Sequence, residues 1–247
     1  MSLKIATKTG ASWNPWIGCR KVSKECVNCF FFRDLKKFHP DWDPTTVRRS
    51  KTMFDAPLKW KEPQLIFTPS WPDWWIEEAD AWREEAWDII RRTPWHTYRI
   101  CTKRVERIAD HLPADWGAGY RNVWLGCSVG AQDYVWRMDV LRGIPATLRW
   151  VSAEPLLGPL KLDLTGFKFL VSGGESGPKP RPANLDWFRD LRDQCAVAGV
   201  YFLHKQHGGS KKCKCKKTAI PGSVQDHEPS WGCRVLDGKL HDEIPPW

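Results

Sequence analysis

The stretch NVWLGCS, residues 122–128, is an apolar run that ends in small and polar residues. Runs of this kind, four to eight residues long and rich in β-branched and aromatic side chains, are typical of strands buried on both faces of a parallel sheet. Five further stretches share the pattern, and together the six predict the sheet: 64–70, 96–103, 148–154, 167–174 and 200–206.

Helical patterns fall between the predicted strands, at 76–93, 131–143 and 184–199. The first places acidic residues at its start and arginines at its end, as the helix dipole favours, and the others end at Gly143 and Gly199. This alternation predicts an α/β fold, specifically a partial (β/α) TIM-like barrel of six or seven parallel strands. A further, weaker strand is expected just before Cys19.

Polar side chains follow almost every predicted strand. In a barrel, functional residues gather at the carboxyl-terminal ends of the strands, so these residues are candidates for a common site. Alternatively, each could simply satisfy backbone groups at a strand end. The candidates are Ser70, Asp73, Lys103, Arg104, Ser128, Glu154, Glu175, His204 and Lys205.

Three cysteines lie close together in SWNPWIGCRKVSKECVNCF, residues 12–30. Cys26 and Cys29 form a chelating C-x2-C pair, and Cys19 precedes them. A structural zinc ion would need a fourth ligand from elsewhere. A [4Fe-4S] cluster held by three thiolates would leave one iron open to a small molecule. Coincidence is the third interpretation, because the chain has nine cysteines.

Composition narrows the classes of function. The 247 residues suffice for one large domain, and no apolar run approaches the ~20 residues that span a bilayer. The amino terminus has no apolar signal core, so a cytoplasmic protein with reduced cysteines and no membrane partner is expected. The net charge of +9 favours a polyanionic partner such as DNA, although solubility alone could explain it.

Several of the 17 tryptophans lie beside prolines, in SWNPW and WPDWW, and are expected to form loop and pocket walls.

The remaining cysteines fall into two groups. Cys213, Cys215 and Cys233 lie in a lysine-rich carboxyl-terminal segment, where His227 or His207 could complete a second metal site, either zinc or an auxiliary iron–sulfur cluster. The same segment could instead contact phosphates. We predict a barrel over 1–206 and a basic extension packed on it over 207–247. Cys101, Cys127 and Cys195 are expected in the core, except that Cys127 stands at a strand exit.

Nearly the whole chain resembles a phage-associated protein family of unknown function. The resemblance rests on segments that occur in order with similar spacing: WNPWIGC…CVNC, CTKR, NVWLGCSVG, VSAEPLLGPL, VSGGESGP…RP and RVLDGKLHDEIP. The cysteine loop and barrel order in turn resemble the radical S-adenosylmethionine (radical SAM) superfamily. The usual spacing there is C-x3-C-x2-C, whereas this chain has C-x6-C-x2-C.

The radical SAM resemblance implies a [4Fe-4S] cluster, S-adenosylmethionine, an external electron donor and hydrogen abstraction from a substrate. Cys19, Cys26 and Cys29 would hold the cluster. Ser70 or Asp73 would meet the methionine moiety, Lys103 or Arg104 its carboxylate, and Ser128 and Glu154 the ribose or amino group. Glu175, His204 and Lys205 are the candidates for acid–base or substrate contacts. The motif GGE at 173–175 follows a later strand than in the superfamily, so its role there is not transferred.

The phage resemblance and the basic charge imply a nucleic-acid or nucleotide substrate in a phage-infected bacterial host, such as a hypermodified thymine in phage DNA. The alternative is a non-catalytic protein with structural zinc at both cysteine groups, which would bind nucleic acid through lysines and tryptophans.

Overall fold

The computed structural model describes residues 11–210 and 233–247, and its centre is one sheet of six parallel strands. The order of these strands in the sheet equals their order in the chain, and the sheet curls into a half-barrel. All six predicted strands are present, which confirms the α/β class and the partial barrel. The strands are β1 (Trp16–Ile17), β2 (Arg48–Arg49), β3 (Leu65–Thr68), β4 (Thr97–Thr102), β5 (Val123–Ser128), β6 (Leu148–Ala153), β7 (Phe169–Gly173), β8 (Tyr201–Gln206), β9 (Val235–Leu236) and β10 (Lys239–Leu240), of which β3 to β8 form the sheet.

Within 11–210 and 233–247, four α-helices accompany the strands: α1 (Phe30–Phe38), α2 (Asp80–Arg92), α3 (Trp136–Arg142) and α4 (Leu185–Ala198). Helix α4 ends as predicted, because Gly199 adopts a left-handed conformation with φ 65°, and Asn184 caps its first turn. Helices α2 and α3 are shorter than predicted, since 3-10 turns occupy 77–79 and 132–134. Further 3-10 turns lie at Lys24–Cys26, Ala56–Lys59, Val105–Arg107 and Ala109–His111.

The sheet buries different side chains on its two faces, because successive residues of a strand point in opposite directions. Its outer face contributes residues such as Ile100, Leu125 and Leu170 to the main core beneath the helices. Its inner face carries a second, smaller core that includes Trp124, Trp150 and Phe169. Aromatic side chains therefore fill part of the half-barrel interior, and the polar strand exits lie beyond them.

The segment before the cysteines adds a short parallel contact to the sheet. Ser12 forms a parallel bridge with Phe67, whose amide donates to the carbonyl of Ala11 at 3.0 Å. The predicted extra strand just before Cys19 is present as β1, which does not join the six-stranded sheet. Strands β1 and β2 then pair antiparallel, so that residues 18–47 form a loop whose two ends meet.

The prediction for the tryptophans is mostly wrong. Trp13, Trp16, Trp74 and Trp75 are fully buried and form part of the main core, whereas Trp71 is partly exposed at a cavity. The large, flat rings pack against one another, with centroids of Trp16 and Trp74 5.0 Å apart. Adjacent prolines therefore do not keep these indoles at the surface.

The described carboxyl-terminal residues pack along the free edge of β8. The amide of His204 donates to the carbonyl of His241 at 2.9 Å, and the amide of Glu243 donates to the carbonyl of Phe202 at 3.2 Å. No helix within 11–210 or 233–247 is long and apolar enough to cross a membrane.

Candidate functional site

A cavity of about 290 Å³ opens at the carboxyl-terminal ends of the parallel strands. A neighbouring cavity of about 180 Å³ shares six lining residues with it. The first volume is near the lower limit of small-molecule sites, about 300 Å³, and the second lies below it. A larger groove of about 690 Å³ between residues 159–165 and α4 contains no cysteine or strand-exit residue. The residues common to the two cavities at the strand ends are Cys26, Cys29, Phe30, Lys103, Glu154 and Lys205.

All three amino-terminal cysteines line the cavity of 290 Å³. Gly18 positions the first, since its φ of 116° is one that side chains rarely adopt and a Cβ there would lie 2.4 Å from the carbonyl oxygen of Thr46. Cys29 immediately precedes α1. The loop thus brings cysteines separated by six and two residues to one wall.

The thiols are held in different electrostatic surroundings. Burial raises the pKa of Cys19 to about 12, with the Asp73 carboxylate adding to this and the Arg104 guanidinium opposing it. Burial also raises the pKa of Cys29, but the backbone N–H groups of Phe31 and Phe32 and the charge of Lys103 act in the opposite direction. Burial outweighs these opposing groups, so the pKa of each thiol stays above its ordinary value, and the amino terminus of α1 and the cations only reduce the shift.

Lys103 extends from the end of β4 towards the cysteines. Its Nζ donates to Ser128 Oγ at 3.1 Å. Burial lowers its pKa, but the Glu25 carboxylate and the nearby thiols Cys26 and Cys29 outweigh this, so that its pKa is raised. The side chain is therefore a fixed positive charge beside the cysteine wall.

Asp73 joins the ends of β3 and β4 instead of leaving its carboxylate free. It accepts hydrogen bonds from Thr102 Oγ1 at 2.6 Å and from the Lys103 amide at 3.0 Å, and it pairs with Arg104 at 3.3 Å. Ser70 is similarly engaged, since its amide donates to Asn14 Oδ1 at 2.8 Å. Both residues line the cavity, and these hydrogen bonds organise its rim.

Glu154 and Lys205 face each other across the cavity. Lys205 Nζ lies 2.9 Å from Glu154 Oε1, and the two side chains are 49% and 20% exposed for Lys205 and Glu154 respectively. The two side chains therefore form an ion pair that bridges β6 and β8 at the mouth of the half-barrel.

A buried ion pair fixes one side of the cysteine loop. Glu25, which precedes Cys26, accepts hydrogen bonds from the Gly130 amide at 2.6 Å and from Arg137 at 2.7 Å. The side chains of Glu25 and Arg137 are 0% and 2% exposed. The guanidinium also donates to the Ser128 carbonyl at 2.8 Å, which ties the loop to β5 and α3.

A second set of contacts fixes the other side of the loop. Asn28 Nδ2 donates to Glu175 Oε2 at 2.8 Å, and the Arg181 guanidinium pairs with the same carboxylate at 2.5 Å. Arg181 also donates to the Lys24 carbonyl at 2.8 Å. Glu175 lines the smaller cavity, but its carboxylate is committed to Asn28 and Arg181. We therefore assign Glu175 a role in positioning the cysteine loop in place of the predicted catalytic role.

We expect Arg181→Met to lower the free energy of unfolding by an amount that depends on pH. Burial raises the pKa of Glu175, but the hydrogen bonds and charge of Arg181 outweigh this and lower it. A carboxyl with a lowered folded-state pKa contributes stability above its unfolded pKa of about 4.3 and loses that contribution on acidification. The variant should lose about 1–3 kcal/mol at pH 7, and less at pH 4, as measured by urea unfolding. An equal loss at both values would contradict the role given to the ion pair.

The family of the chain follows from a match over almost its full length. Residues 4–245 match the family described as "Protein of unknown function (DUF5131)". The chain belongs to the DUF5131 family. Neither the curated proteins nor the solved structures contain a significant match to it.

One predicted residue of this DUF5131 chain does not reach the cavity. His204 lies on the outer face of β8, where Nδ1 is 2.9 Å from Ser172 Oγ and the ring packs on Phe188. Burial lowers its pKa well below the usual value, with neighbouring His207 acting in the same direction. It is therefore a buried neutral side chain on the far side of the sheet, which argues against the predicted catalytic role.

The second predicted metal site lies mostly outside the described residues. Cys213, Cys215 and His227 fall in the part of the chain that the structure does not describe, while Cys233 is fully buried. In the ranges 11–210 and 233–247, no three His, Cys, Asp or Glu side chains form a group that could hold a metal ion.

Cys101 was expected in the core and Cys127 at a strand exit, and the structure shows the reverse. Cys127 belongs to the main core on the outer face, whereas Cys101 lines the cavity and lies 3.5 Å from Ser128 Oγ. The alternation of a strand decides this, because Cys101 and Ser128 both point inward. The DUF5131 site thus includes residues that the sequence motifs did not reveal, namely Glu25, Asn28, Arg137, Arg181 and Cys101.

Proposed function

We propose that this protein is a radical SAM enzyme in which Cys19, Cys26 and Cys29 hold a [4Fe-4S] cluster. The observation that carries the proposal is that all three cysteines share one cavity with the polar residues at the strand ends. A purely structural cysteine loop would not need to face Lys103, Glu154 and Lys205. The sequence resemblance supports the same interpretation.

The donor set is compatible with such a cluster. Each thiolate of a cubane binds a different iron atom, whereas a tetrahedral zinc ion draws its ligands onto one atom. The three cysteines line one cavity, and among the described residues no three His, Cys, Asp or Glu side chains form a group that could hold a single metal ion. Lys103 and Arg104 supply positive charge next to thiolates.

When bound, the cluster would supply the electron for reductive cleavage of S-adenosylmethionine, from which hydrogen abstraction follows. The chain's own residues prepare the cavity for this chemistry. Phe30, Phe32, Phe67 and Trp71 line it and limit access of water. Ser128 and Glu154 present polar atoms to a ligand, and Lys205 beside Glu154 can move a proton at the mouth.

The proposed substrate class is a nucleic acid or nucleotide, for example a modified base such as hypermodified thymine in phage DNA. The net charge of +9 supports this class. Exposed lysines at positions 21, 24, 36 and 37 surround the cysteine loop, and exposed Phe30 and Phe38 lie among them. Cations interleaved with aromatic rings suit a strand of nucleic acid.

Metal analysis of protein prepared without oxygen tests the proposal. We expect about four irons and four sulfides per chain at the amino-terminal site, a broad absorbance near 400 nm, and reductive cleavage of S-adenosylmethionine with dithionite. Colourless protein that contains only zinc and leaves S-adenosylmethionine intact would overturn it.

A further inference from the structure

The inner face of the half-barrel contains a buried arginine that the proposed chemistry does not use. Arg99 lies in the middle of β4, in register with Phe67 on one side and Trp124 on the other. It is 6% exposed. Its guanidinium carbon lies 5.7 Å from the ring centroid of Phe67 and 5.8 Å from that of Trp150. Two aromatic rings thus support the planar group.

The guanidinium of Arg99 lacks a protein acceptor within the part of the chain that the structure describes. Its Nε atom is completely buried without a hydrogen-bond partner. Burial lowers its pKa to about 10, with the Glu154 charge acting in the opposite direction. A buried cation without a partner is costly, and such a group in the interior of a cleft is a candidate for contact with a ligand.

The carboxylates around the cavity are already committed to other cations. Asp73 pairs with Arg104 at 3.3 Å, Glu154 with Lys205 at 2.9 Å, and Glu175 with Arg181 at 2.5 Å. Glu25 pairs with Arg137 at 2.7 Å. Lys103 faces the thiols of the cysteine wall. Arg99 is therefore a surplus positive charge in the interior.

We propose that Arg99 binds an anionic group, carboxylate or phosphoryl, on the substrate that enters the half-barrel. A guanidinium held between aromatic rings offers parallel N–H groups that match either anion. Its Cα lies four residues before that of Lys103, about 13 Å deeper in the half-barrel at the usual rise per residue. Cys101, which lines the cavity, lies between these two levels, and Phe67, which also lines it, lies in register with Arg99. The anion therefore belongs to a molecule that reaches beyond a ligand bound at the cysteines.

The proposal extends the proposed function, but its first test needs neither iron nor S-adenosylmethionine. The whole chain is titrated with inorganic phosphate and with acetate at constant ionic strength, with chloride as the balancing ion, and the melting temperature is recorded. We expect both anions to protect the wild type more than chloride does, and Arg99→Met to reduce this protection at least about tenfold in effective affinity. Without anion, Arg99→Met should melt at or above the wild-type temperature, because a buried unpaired cation has been removed.

A matched variant separates anion binding from structural support. Arg83 is also buried at 3% exposure, but it donates to the carbonyls of Trp74 and Ile76 at 3.0 and 2.9 Å. Arg83→Met should melt at a lower temperature yet keep the protection by phosphate. A lower melting temperature for Arg99→Met with undiminished phosphate protection would overturn the proposal, as would wild-type protein that responds to phosphate no more than to chloride. If Arg99→Met does not fold, Arg99→Lys, which keeps the charge and loses the planar fork, is compared in the same titration and should lose most of the protection.

A second arm identifies which molecule carries the anion. S-adenosylmethionine and 5′-methylthioadenosine, which lacks the amino-acid carboxylate, are compared as thermal protectants. Equal protection of wild type and Arg99→Met by S-adenosylmethionine supports assignment of the anion to the substrate. Loss of that protection in Arg99→Met, down to the level of 5′-methylthioadenosine, would overturn the assignment. Protein that binds phosphate through Arg99 but never cleaves S-adenosylmethionine would disprove only the proposed function.

Discussion

Arg137→Met is expected to lower the free energy of unfolding by about 3–5 kcal/mol, because it leaves the buried carboxylate of Glu25 without its cation. Both side chains are almost completely enclosed, so water cannot replace the lost contact. Urea unfolding followed by circular dichroism measures the change. The cysteine loop should loosen first, since Glu25 is its anchor to the Gly130 amide.

Two further variants give this prediction its control. Glu25→Gln combined with Arg137→Met removes the charge as well as its partner, and should recover part of the lost stability. Arg92→Met breaks an exposed pair with Asp88 on α2, at 61% and 47% exposure, and should cost about 0–1 kcal/mol. A loss in Arg137→Met no larger than in Arg92→Met would show that the buried pair does not hold the loop.

Cys29→Ala is expected to abolish both iron binding at the amino-terminal site and cleavage of S-adenosylmethionine. Under the proposed function, a cluster with two remaining thiolates loses a ligand on a third iron. The barrel should remain folded, because Cys29 lies in the loop and does not belong to either core. Iron content and single-turnover cleavage of S-adenosylmethionine are the measurements, and Cys19→Ala and Cys26→Ala should behave alike.

Cys101→Ala is the matched control for that series. Cys101 lines the same cavity but comes from β4, and we assign it no iron. Its variant should keep the iron and most of the cleavage activity. Cys195→Ala, buried in α4, should do the same. Retention of the full iron content in Cys29→Ala would contradict the proposed ligand set.

Short-range patterns predicted the sheet because each strand carries its own signal. The run at 122–128 and its five counterparts all became parallel strands, with ends within a few residues of those expected. Helix α1 was not predicted. It has only nine residues, and its aromatic residues directly follow the cysteine motif, whose spacing is the stronger signal in that segment. Its buried positions, Phe31 and Leu35, are four apart and could have revealed it.

The candidate site was predictable only in part, for a physical reason. Parallel topology brings strand ends together, so the order of the strands alone places Lys103, Ser128, Glu154 and Lys205 near one another. What each side chain contacts depends on residues far away in the chain. The carboxylate of Glu175 accepts a hydrogen bond from Asn28, which lies 147 positions earlier in the chain. No local pattern in GGESGP shows that the carboxylate makes this contact.

The sequence also did not show which face of the sheet a residue at the end of a strand occupies. His204 and Lys205 are adjacent, yet only Lys205 points into the half-barrel. The apolar run at 200–206 is buried on both sides, so alternation of polarity does not reveal which residue faces inward. The same ambiguity applies to Arg99, because the run at 96–103 is buried on both sides and does not show which face of the sheet its charged residue occupies.

The anchoring of the cysteine loop has a consequence for the newly made chain. The three cysteines leave the ribosome well before their anchors Arg137, Glu175 and Arg181, and Arg181 lies 157 positions after its contact at Lys24. Nascent chains that end before residue 181 are therefore expected to carry the thiols on an unsecured segment, open to oxidation and to the wrong metals. The anchors of the loop are complete only when β7 and the turn beyond it have emerged, so under the proposed function the cluster would be inserted after residue 181 is made.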